Sequence, residues 1–170
     1  LPICERVAQH PVFGALDADT PHIAFSVTKS FFSTIAACLV HEGLLNDKTL
    51  VSHYVPELKA SAFGDATVRQ VLDMTTALQY SEVYTDPKAE IWSYSRAGNL
   101  MARPAGYEGP ESFYEYLQSV KKLGTHGESF SYKTINTDVL GWIIQRITGL
   151  SLAENLSRRI WSRLGMEHDA

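Results

Sequence analysis

Residues 22–43 read HIAFSVTKSFFSTIAACLVHEG, and the fold prediction starts from the apolar run inside this segment. From Ser30 to Val40 the segment contains no charged side chain, a pattern that predicts a buried helix. The helix is expected to begin near Ser26 and to end at Gly43, because glycine commonly terminates helices. Lys29 stands at the start of the apolar run, three residues after Ser26. An ammonium group there loses part of its hydration, so its presence needs a chemical explanation.

The overall composition is that of an ordinary globular domain. The 170 residues are 45% hydrophobic and 20% charged with a net charge of −4, which is enough chain for one domain with a core. Basic residues are scattered, which argues against nucleic-acid binding, and no apolar run is long enough to span a membrane. Cys4 and Cys38 do not indicate a disulfide framework, and Cys38 is expected to be a buried thiol. No signal peptide is visible in the given chain, and the sequence leaves the compartment and the oligomeric state undecided.

The chain divides into an irregular start and a helical remainder. Residues 1–25 are expected to be irregular with at most a short strand, and residues 26–170 to form the helical region of a single domain. The segment between Tyr80 and Gly109 shows little periodicity and is predicted to be a long loop. Further helices are predicted within segments 65–76, 109–124, 136–149 and 151–165.

Two of these helices carry capping signals and two carry a predicted apolar face. Thr67 with Gln70, and Ser151 with Glu154, have the spacing of a capping box. The residues expected to share one apolar face are Phe113, Tyr116 or Leu117, Val120 and Leu123 in segment 109–124, and Leu152, Leu156, Ile160 and Leu164 in segment 151–165; in segment 136–149 Val139, Leu140, Ile143, Ile144 and Ile147 follow helical spacing.

The spacing of Ser26 and Lys29 suggests a catalytic pair. Residues three apart on a helix share a face, so the Lys29 amine can reach the Ser26 hydroxyl. Desolvation at the start of an apolar helix favours the neutral amine, which makes Lys29 a candidate base, and Ser-Lys pairs are a known way to activate a serine nucleophile. The structural alternative, a serine at the helix N-cap with a solvated lysine, has about even odds when the motif is taken alone.

The Ser-x-x-Lys pattern by itself is weak evidence. With 15 serines and 7 lysines in the chain, about 0.6 matches are expected by chance. A second match does occur, at Ser119 and Lys122. It lies late in an amphipathic helix beside two lysines, so it is interpreted as a solvated polar face.

Tyr132 is a third candidate catalytic residue. It lies just before the amphipathic segment 136–149, in a turn that leads into the helix. A phenol close to an ammonium group has its anion favoured, so Tyr132 could carry a proton between Ser26 and a leaving group. A tyrosine in such a place is more often a core or rim residue, so this assignment depends on the other motifs.

Several segments in one register resemble the serine β-lactamase and penicillin-binding-protein superfamily. The similar segments are FSVTKSF, HEGLLNDKTLVSHYVPEL, TVRQVLDMTTALQY, FSYKTINTDVLGWIIQRITG and RIWSRLGME, which together cover roughly residues 16–168. The chain looks closest to the class C branch, and segment 83–98 resembles the 6-aminohexanoate-dimer hydrolases within it. The resemblance implies an α+β, beta-lactamase/transpeptidase-like fold, of which this chain supplies mainly the helical region. It also implies a nucleophilic Ser26, with Lys29 and Tyr132 as its partners, and a Tyr84 that lines the substrate cleft.

The sequence departs from the family pattern in three places. The motif Tyr-x-Asn reads Tyr132-Lys133-Thr134, and Thr134 lacks the amide that would contact a substrate, which disfavours β-lactam hydrolysis. A loop position that tends to be acidic in the dimer hydrolases is Ser95, which cannot pair with a substrate ammonium group. A Lys/His-(Ser/Thr)-Gly motif on C-terminal strands is absent, and the 170 residues look like about half of a family member.

The resulting prediction is a serine hydrolase that cleaves an amide or ester bond of a small molecule through an acyl-enzyme. No cofactor or metal is expected, since the six histidines show no ligand spacing. Two alternatives stay open: a non-catalytic relative that binds ligands in the same cleft, and a D-Ala-D-Ala carboxypeptidase. The 170 residues alone are expected to be inactive, and to expose apolar side chains from the central helix and segment 136–149 near Ser26 and Tyr132.

Overall fold

The computed structural model describes residue 20 and residues 22–166. Most of the predicted irregular segment 1–25 therefore lies outside the described residues. The described part is helical and contains no β-strand, only two isolated antiparallel bridges, Leu50 with Thr67 and Leu78 with Lys122. This agrees with the prediction that the chain supplies mainly a helical region.

Eight α-helices occur in the described part of the chain. In chain order they are α1 (Thr28–His41), α2 (Val51–Tyr54), α3 (Val68–Leu72), α4 (Glu90–Ala97), α5 (Phe113–Ser119), α6 (Ile135–Thr148), α7 (Leu152–Leu156) and α8 (Ser162–Leu164). Short 3₁₀ turns at Phe25–Val27 and Pro56–Leu58, and a π-helical turn at Ser157–Trp161, complete the described elements.

Both predicted capping boxes are confirmed. The Thr67 hydroxyl accepts a hydrogen bond from the Gln70 N–H at 3.2 Å while the Gln70 side chain accepts one from the Thr67 N–H at 2.9 Å. Ser151 and Glu154 make the same reciprocal pair at the start of α7. Such bonds satisfy backbone donors that the first helical turn leaves without partners.

The most deeply buried helix is α6, which changes the expected role of α1. Nine of the 14 residues of α6 are buried, but only three of the 14 in α1, namely Ile35, Ala36 and Leu39. The apolar run was predicted to form a buried helix, but only one side of that helix is buried. Its small residues, among them Ser33 and Ala37, form an exposed face, because a lack of charge does not by itself require burial.

Exposed apolar side chains occur in the turn just before α1. Ile23, Phe25 and Val27, just before the helix, are between 62% and 76% exposed. The expected contribution from segment 136–149 is absent, because the apolar side chains of α6 point into the core. Of the predicted apolar surface, exposed side chains are found in the turn before α1, and the contribution expected from segment 136–149 is wrong.

The predicted loop between Tyr80 and Gly109 contains helix α4. Ile91, Tyr94, Ser95 and Ala97 are its buried residues, and they follow the helical spacing of three and four. Two of these four residues, Tyr94 and Ser95, carry hydroxyl groups, so the buried face of α4 is not purely apolar.

Helix α5 ends earlier than its apolar pattern predicts. After Ser119 the backbone becomes extended, the Gln79 N–H donates to the Lys121 carbonyl at 2.8 Å, and the Leu123 N–H donates to the Ala77 carbonyl at 3.0 Å. Leu123, expected on the apolar face, is 68% exposed. Hydrogen bonds to a neighbouring segment therefore replace the last helical turn.

The C-terminal helical segment is interrupted by a π-helical turn. The Ser162 N–H donates to the Ser157 carbonyl, five residues back, so one extra residue enters the turn. Ile160 stays buried, but Leu164 is 64% exposed, contrary to the predicted four-residue apolar stripe. The Arg159 guanidinium also contacts both carboxylate oxygens of Glu42 at 2.5 and 2.6 Å, which ties this segment to the end of α1.

Leu39 and Leu164 allow a matched test of these packing assignments. Leu39→Ala, at a fully buried position of α1, is expected to lower the free energy of unfolding by roughly 2–5 kcal/mol through lost burial and a cavity. The same substitution at Leu164 is expected to change it by less than about 0.5 kcal/mol. Urea unfolding of the full-length protein measures both. A comparable loss at Leu164 would contradict the conclusion that the π-helical turn leaves this side chain on the surface.

Candidate active site

Ser26 lies in a strained turn directly before α1. It is the middle residue of the 3₁₀ turn Phe25–Val27, and Phe25 has a φ of +43°, in the left-handed region that is unfavourable for a side chain with a Cβ. Strain of this kind persists only when the surrounding structure enforces it, and it is common at functional sites. Ser26 itself is exposed, so its hydroxyl is accessible.

Lys29 reaches the Ser26 hydroxyl one helical turn later. Its Nζ donates a hydrogen bond to Ser26 Oγ at 3.2 Å, as the spacing predicted. Lys29 is partly buried, and its ammonium group also lies 5.4 Å from the centre of the Tyr132 ring. The lysine is therefore in contact with both of the other candidate residues.

Tyr132 completes the group from a position 106 residues further along the chain. Its hydroxyl donates to Ser26 Oγ at 2.8 Å, so the serine oxygen accepts two hydrogen bonds. The three side chains thus meet within hydrogen-bond reach of a single oxygen atom. This is the geometry in which a serine proton can be transferred to a neighbouring base.

The surroundings of Tyr132 favour its phenolate form. Partial burial is the largest single influence and by itself raises the pKa of Tyr132. The hydrogen bond with Ser26, the hydrogen bond and positive charge of Lys29, and an interaction with Thr134 act in the opposite direction and together outweigh it. The pKa of Tyr132 is consequently below its ordinary value, which suits a group that accepts and returns a proton.

The two residues after Tyr132 fix its position. Lys133 is buried, its Nζ donates to the Leu78 carbonyl at 2.7 Å, and burial lowers its pKa. The Thr134 N–H donates to the Glu82 carboxylate at the point where α6 begins. These contacts hold the turn that presents Tyr132, and neither Lys133 nor Glu82 was identified from the sequence.

Comparison with known proteins identifies the family of this chain. Residues 5–170 match the family described as Beta-lactamase. The chain belongs to the Beta-lactamase family. This confirms the resemblance and the fold that were inferred from the sequence motifs.

Two relatives of this Beta-lactamase-family chain are more than one third identical to it in the aligned region. It is 39% identical over 152 residues to a 6-aminohexanoate-dimer hydrolase from Paenarthrobacter ureafaciens, an alignment that covers 89% of this chain and 38% of the relative. A solved structure from Bacillus anthracis, also described as a 6-aminohexanoate-dimer hydrolase, has a TM-score of 0.85 and 36% identity over 93% of this chain and 42% of that one. The chain thus spans about two fifths of the length of these relatives.

A class C beta-lactamase is more distant but still similar. Its structure has a TM-score of 0.60 and 26% identity, over 84% of this chain and 34% of that one. The likeness therefore extends across the branch of the Beta-lactamase family that the motifs indicated.

The predicted substrate-binding residues Tyr84 and Thr134 both interact with Glu82. Tyr84 is 64% exposed, packs edge-on against Trp92 with 5.9 Å between ring centres, and lines a cavity of about 280 Å³. Burial is the first cause that raises the pKa of Tyr84, followed by the charges of Glu82 and Tyr132. Tyr84 thus lies near enough to Tyr132 for the charge of one to affect the pKa of the other.

Ser95 and the second Ser-x-x-Lys motif have structural partners. Ser95 is buried in α4, where its hydroxyl donates to the Ile91 carbonyl at 2.8 Å. Ser119 is exposed and donates to the Tyr116 carbonyl at 2.7 Å. Lys122 forms an ion pair with Asp65 instead of contacting Ser119. The interpretation of Ser119 as a polar surface residue is confirmed.

Residue 20 and residues 22–166 contain neither a metal-binding cluster nor a membrane-spanning helix. Among these residues no group of three or more histidine, cysteine, aspartate or glutamate side chains is arranged to hold a metal ion. Within the same ranges no helix has the length and apolar character needed to cross a bilayer.

The electrostatic link between Lys29 and Tyr132 can be measured directly. Lys29→Met removes a positive charge and a hydrogen bond that favour the phenolate, so the pKa of Tyr132 is expected to rise. Ultraviolet difference titration of tyrosinate, with Tyr132→Phe to assign the signal, measures this in the full-length protein. Lys122→Met, at the surface pair with Asp65, is the matched control and should leave the Tyr132 signal in place. An unchanged titration in Lys29→Met would contradict the assignment.

Proposed function

We propose that this chain carries the nucleophile of a serine hydrolase that cleaves an amide or ester bond through an acyl-enzyme. The observation that supports the proposal is the single Ser26 oxygen that accepts hydrogen bonds from both Lys29 and Tyr132. A serine hydroxyl is a weak nucleophile until a neighbour takes its proton, and both neighbours can do so when deprotonated. The arrangement lacks an obvious structural purpose, since all three side chains are at or near the surface.

Acylation begins when Ser26 Oγ attacks the carbonyl carbon of the substrate. The Oγ proton passes to Lys29 or to the Tyr132 phenolate, and the carbonyl electron pair moves onto the oxygen. The Ser26 backbone N–H supplies one hydrogen-bond donor to that oxyanion. As the bond to the leaving group breaks, Tyr132 donates a proton to the departing nitrogen or oxygen, and water later hydrolyses the acyl-enzyme.

The substrate is a small amide or ester rather than a β-lactam. Tyr84 and Thr134 contact it at the edge of the site, and Thr134 replaces an asparagine side chain that could both donate and accept hydrogen bonds. The identity of 39% with a 6-aminohexanoate-dimer hydrolase supports an amidase or esterase of that group, although the alignment covers only 38% of that relative. Because the chain is short relative to these enzymes, the activity is proposed for the full-length protein.

Covalent labelling with a fluorophosphonate tests the nucleophile without knowledge of the substrate. Wild-type full-length protein is expected to be labelled, and Ser26→Ala to lose both labelling and hydrolysis, because removing a serine nucleophile abolishes most of the rate enhancement. Ser119→Ala provides a matched control from the second Ser-x-x-Lys motif and should be labelled normally. Equal effects of the two substitutions would contradict the assignment, and an unlabelled wild type would favour a non-catalytic binding protein.

A substrate panel tests the reaction class. The full-length protein is expected to turn over a small ester and a linear amide faster than a β-lactam, because Thr134 lacks the amide group of asparagine. Initial rates on the three substrates, each with Ser26→Ala as the blank, provide the measurement. A penicillin adduct that persists for long periods would instead indicate a D-Ala-D-Ala carboxypeptidase.

A further inference from the structure

Arg96 is a cationic side chain close to the candidate active site that has no partner in the fold. It lies half-buried in the last turn of α4, and within residue 20 and residues 22–166 its guanidinium makes neither an ion pair nor a hydrogen bond. Arg103, seven residues later, is different, because its guanidinium donates to the backbone carbonyls of Arg96, Ala97 and Glu111. Arg103 is thus a structural arginine, whereas the five N–H donors of Arg96 are available to a ligand.

Arg96 lines the cavity of about 280 Å³ to which Tyr84 also belongs. The other residues of its wall are Thr85, Pro87, Trp92 and Met101. Arg96 is the one charged residue in this wall, and none of the six is acidic. Trp92 and Arg96 are four residues apart on α4, so they lie on the same face of the helix. The cavity therefore combines a positive charge with apolar walls, a combination that suits an anionic group on a carbon chain.

Hydrogen bonds and ring packing fix the walls of the cavity. The Trp92 Nε1–H donates to the Asp86 carbonyl at 2.8 Å, and the Tyr84 ring packs edge-on against the indole with 5.9 Å between ring centres. After α4 the chain folds back, because the Met101 N–H donates to the Ser95 carbonyl at 3.2 Å. The cavity is thus formed before a ligand enters, which reduces the entropy cost of binding.

A short series of contacts connects the cavity to Ser26. The Tyr132 hydroxyl donates to Ser26 Oγ at 2.8 Å, and two residues later the Thr134 N–H donates to the Glu82 carboxylate. Tyr84 follows Glu82 by two residues, and two residues of extended chain span at most about 7 Å. A small molecule held at Ser26 can therefore extend along Tyr84 into the cavity.

We propose that this cavity binds a carboxylate group of the substrate through Arg96. The substrate is then an amide or ester that carries a free acid at the end of a carbon chain, and Tyr84, Trp92 and Met101 contact that chain. Arg96 selects the substrate and does not touch the bond that is cleaved. The proposal rests on the proposed serine-hydrolase function and names the substrate class of that site.

The physical reason is the match between guanidinium and carboxylate. The two groups are planar and form a pair of parallel, charge-assisted N–H···O bonds. Apolar walls exclude part of the surrounding water, so the attraction is screened less than on an open surface. A carboxamide in the same place leaves the guanidinium without a counter-charge, and an ammonium group is repelled by it.

Two pairs of substrates test this specificity in the full-length protein. The first pair is a chromogenic ester whose acyl chain ends in a carboxylate or in a carboxamide, prepared with several chain lengths. In the second pair the same two groups end the leaving-group side of a linear amide, with products measured by chromatography. The ratio of kcat/KM for carboxylate over carboxamide is expected to reach about 10–100 in one of the two series, the scale of hydrogen bonds to charged groups.

Substitutions at Arg96 assign the preference to this side chain. Arg96→Gln is expected to lower the ratio to about one, and Arg96→Glu to favour a substrate that ends in an ammonium group. Lys88→Gln is the matched control, because Lys88 is an exposed cation in the neighbouring loop and lines no part of the cavity. Each ratio compares two substrates on the same protein, so a change in Ser26 reactivity cancels.

Three results would overturn the role of Arg96. The first is Ser26-dependent hydrolysis with equal rates on carboxylate and carboxamide in both series, and the second is a preference that survives Arg96→Gln. If Arg96→Gln does not fold, the third is an undiminished preference in Arg96→Lys, because lysine cannot form the two parallel hydrogen bonds.

A binding measurement separates this inference from the proposed function. Calorimetric titration of full-length Ser26→Ala with the linear amide is expected to give a Kd about tenfold lower for the carboxylate than for the carboxamide. Ser26→Ala combined with Arg96→Gln should bind both forms equally, and equal Kd values in Ser26→Ala alone would contradict the carboxylate site. A wild type that is neither labelled by fluorophosphonate nor hydrolytic would instead show that the serine-hydrolase function is wrong, and the titration would still decide what the cavity binds.

Discussion

The burial of α6 is the constraint on which the candidate active site depends. This helix packs against α1 and α3 and contributes nine buried residues to the core, so its first turn cannot move without disturbing the interior. Tyr132 comes immediately before that turn, and the contacts of Lys133 with Leu78 and of Thr134 with Glu82 remove its remaining freedom. Packing of the core therefore fixes the position of the Tyr132 hydroxyl beside Ser26, 106 residues away in sequence.

A second feature of the site is that the positive charge of Lys29 influences the pKa of two acidic side chains, Tyr132 and Asp138. Lys29 contacts Ser26, lies 5.4 Å from the centre of the Tyr132 ring, and favours the ionised forms of both Tyr132 and Asp138. Burial opposes ionisation of each of these groups. The charge of Lys29, with several hydrogen bonds, outweighs burial at Tyr132 but only partly offsets it at Asp138, whose pKa stays raised. Such mutual dependence is typical of catalytic sites, where the ionisation of one group is set by its neighbours.

The sequence predictions were correct where the interactions join residues close in sequence and wrong where they join residues far apart. The caps at Thr67 and Ser151 were predicted correctly because their hydrogen bonds span three residues and depend only on local geometry. The ends and phases of other helices were predicted wrongly where distant groups intervene. Helix α5 stops at Ser119 because the next residues bond to the segment around Ala77, and a π-helical turn rotates Leu164 out of the expected stripe.

The sequence by itself determined the Ser26–Lys29 contact, the turn before α6 that carries Tyr132, and membership of the Beta-lactamase family. The turn that contains Ser26 continues directly into α1, so side chains three residues apart lie on one face there, whereas the same spacing fails at Ser119 and Lys122 because α5 ends at Ser119. Only the tertiary structure brought Tyr132 to Ser26, paired Lys122 with Asp65 rather than Ser119, and set Asp138 against Tyr94 across 44 residues. Those contacts depend on how helices pack, and packing is a property of the whole core that no local pattern encodes.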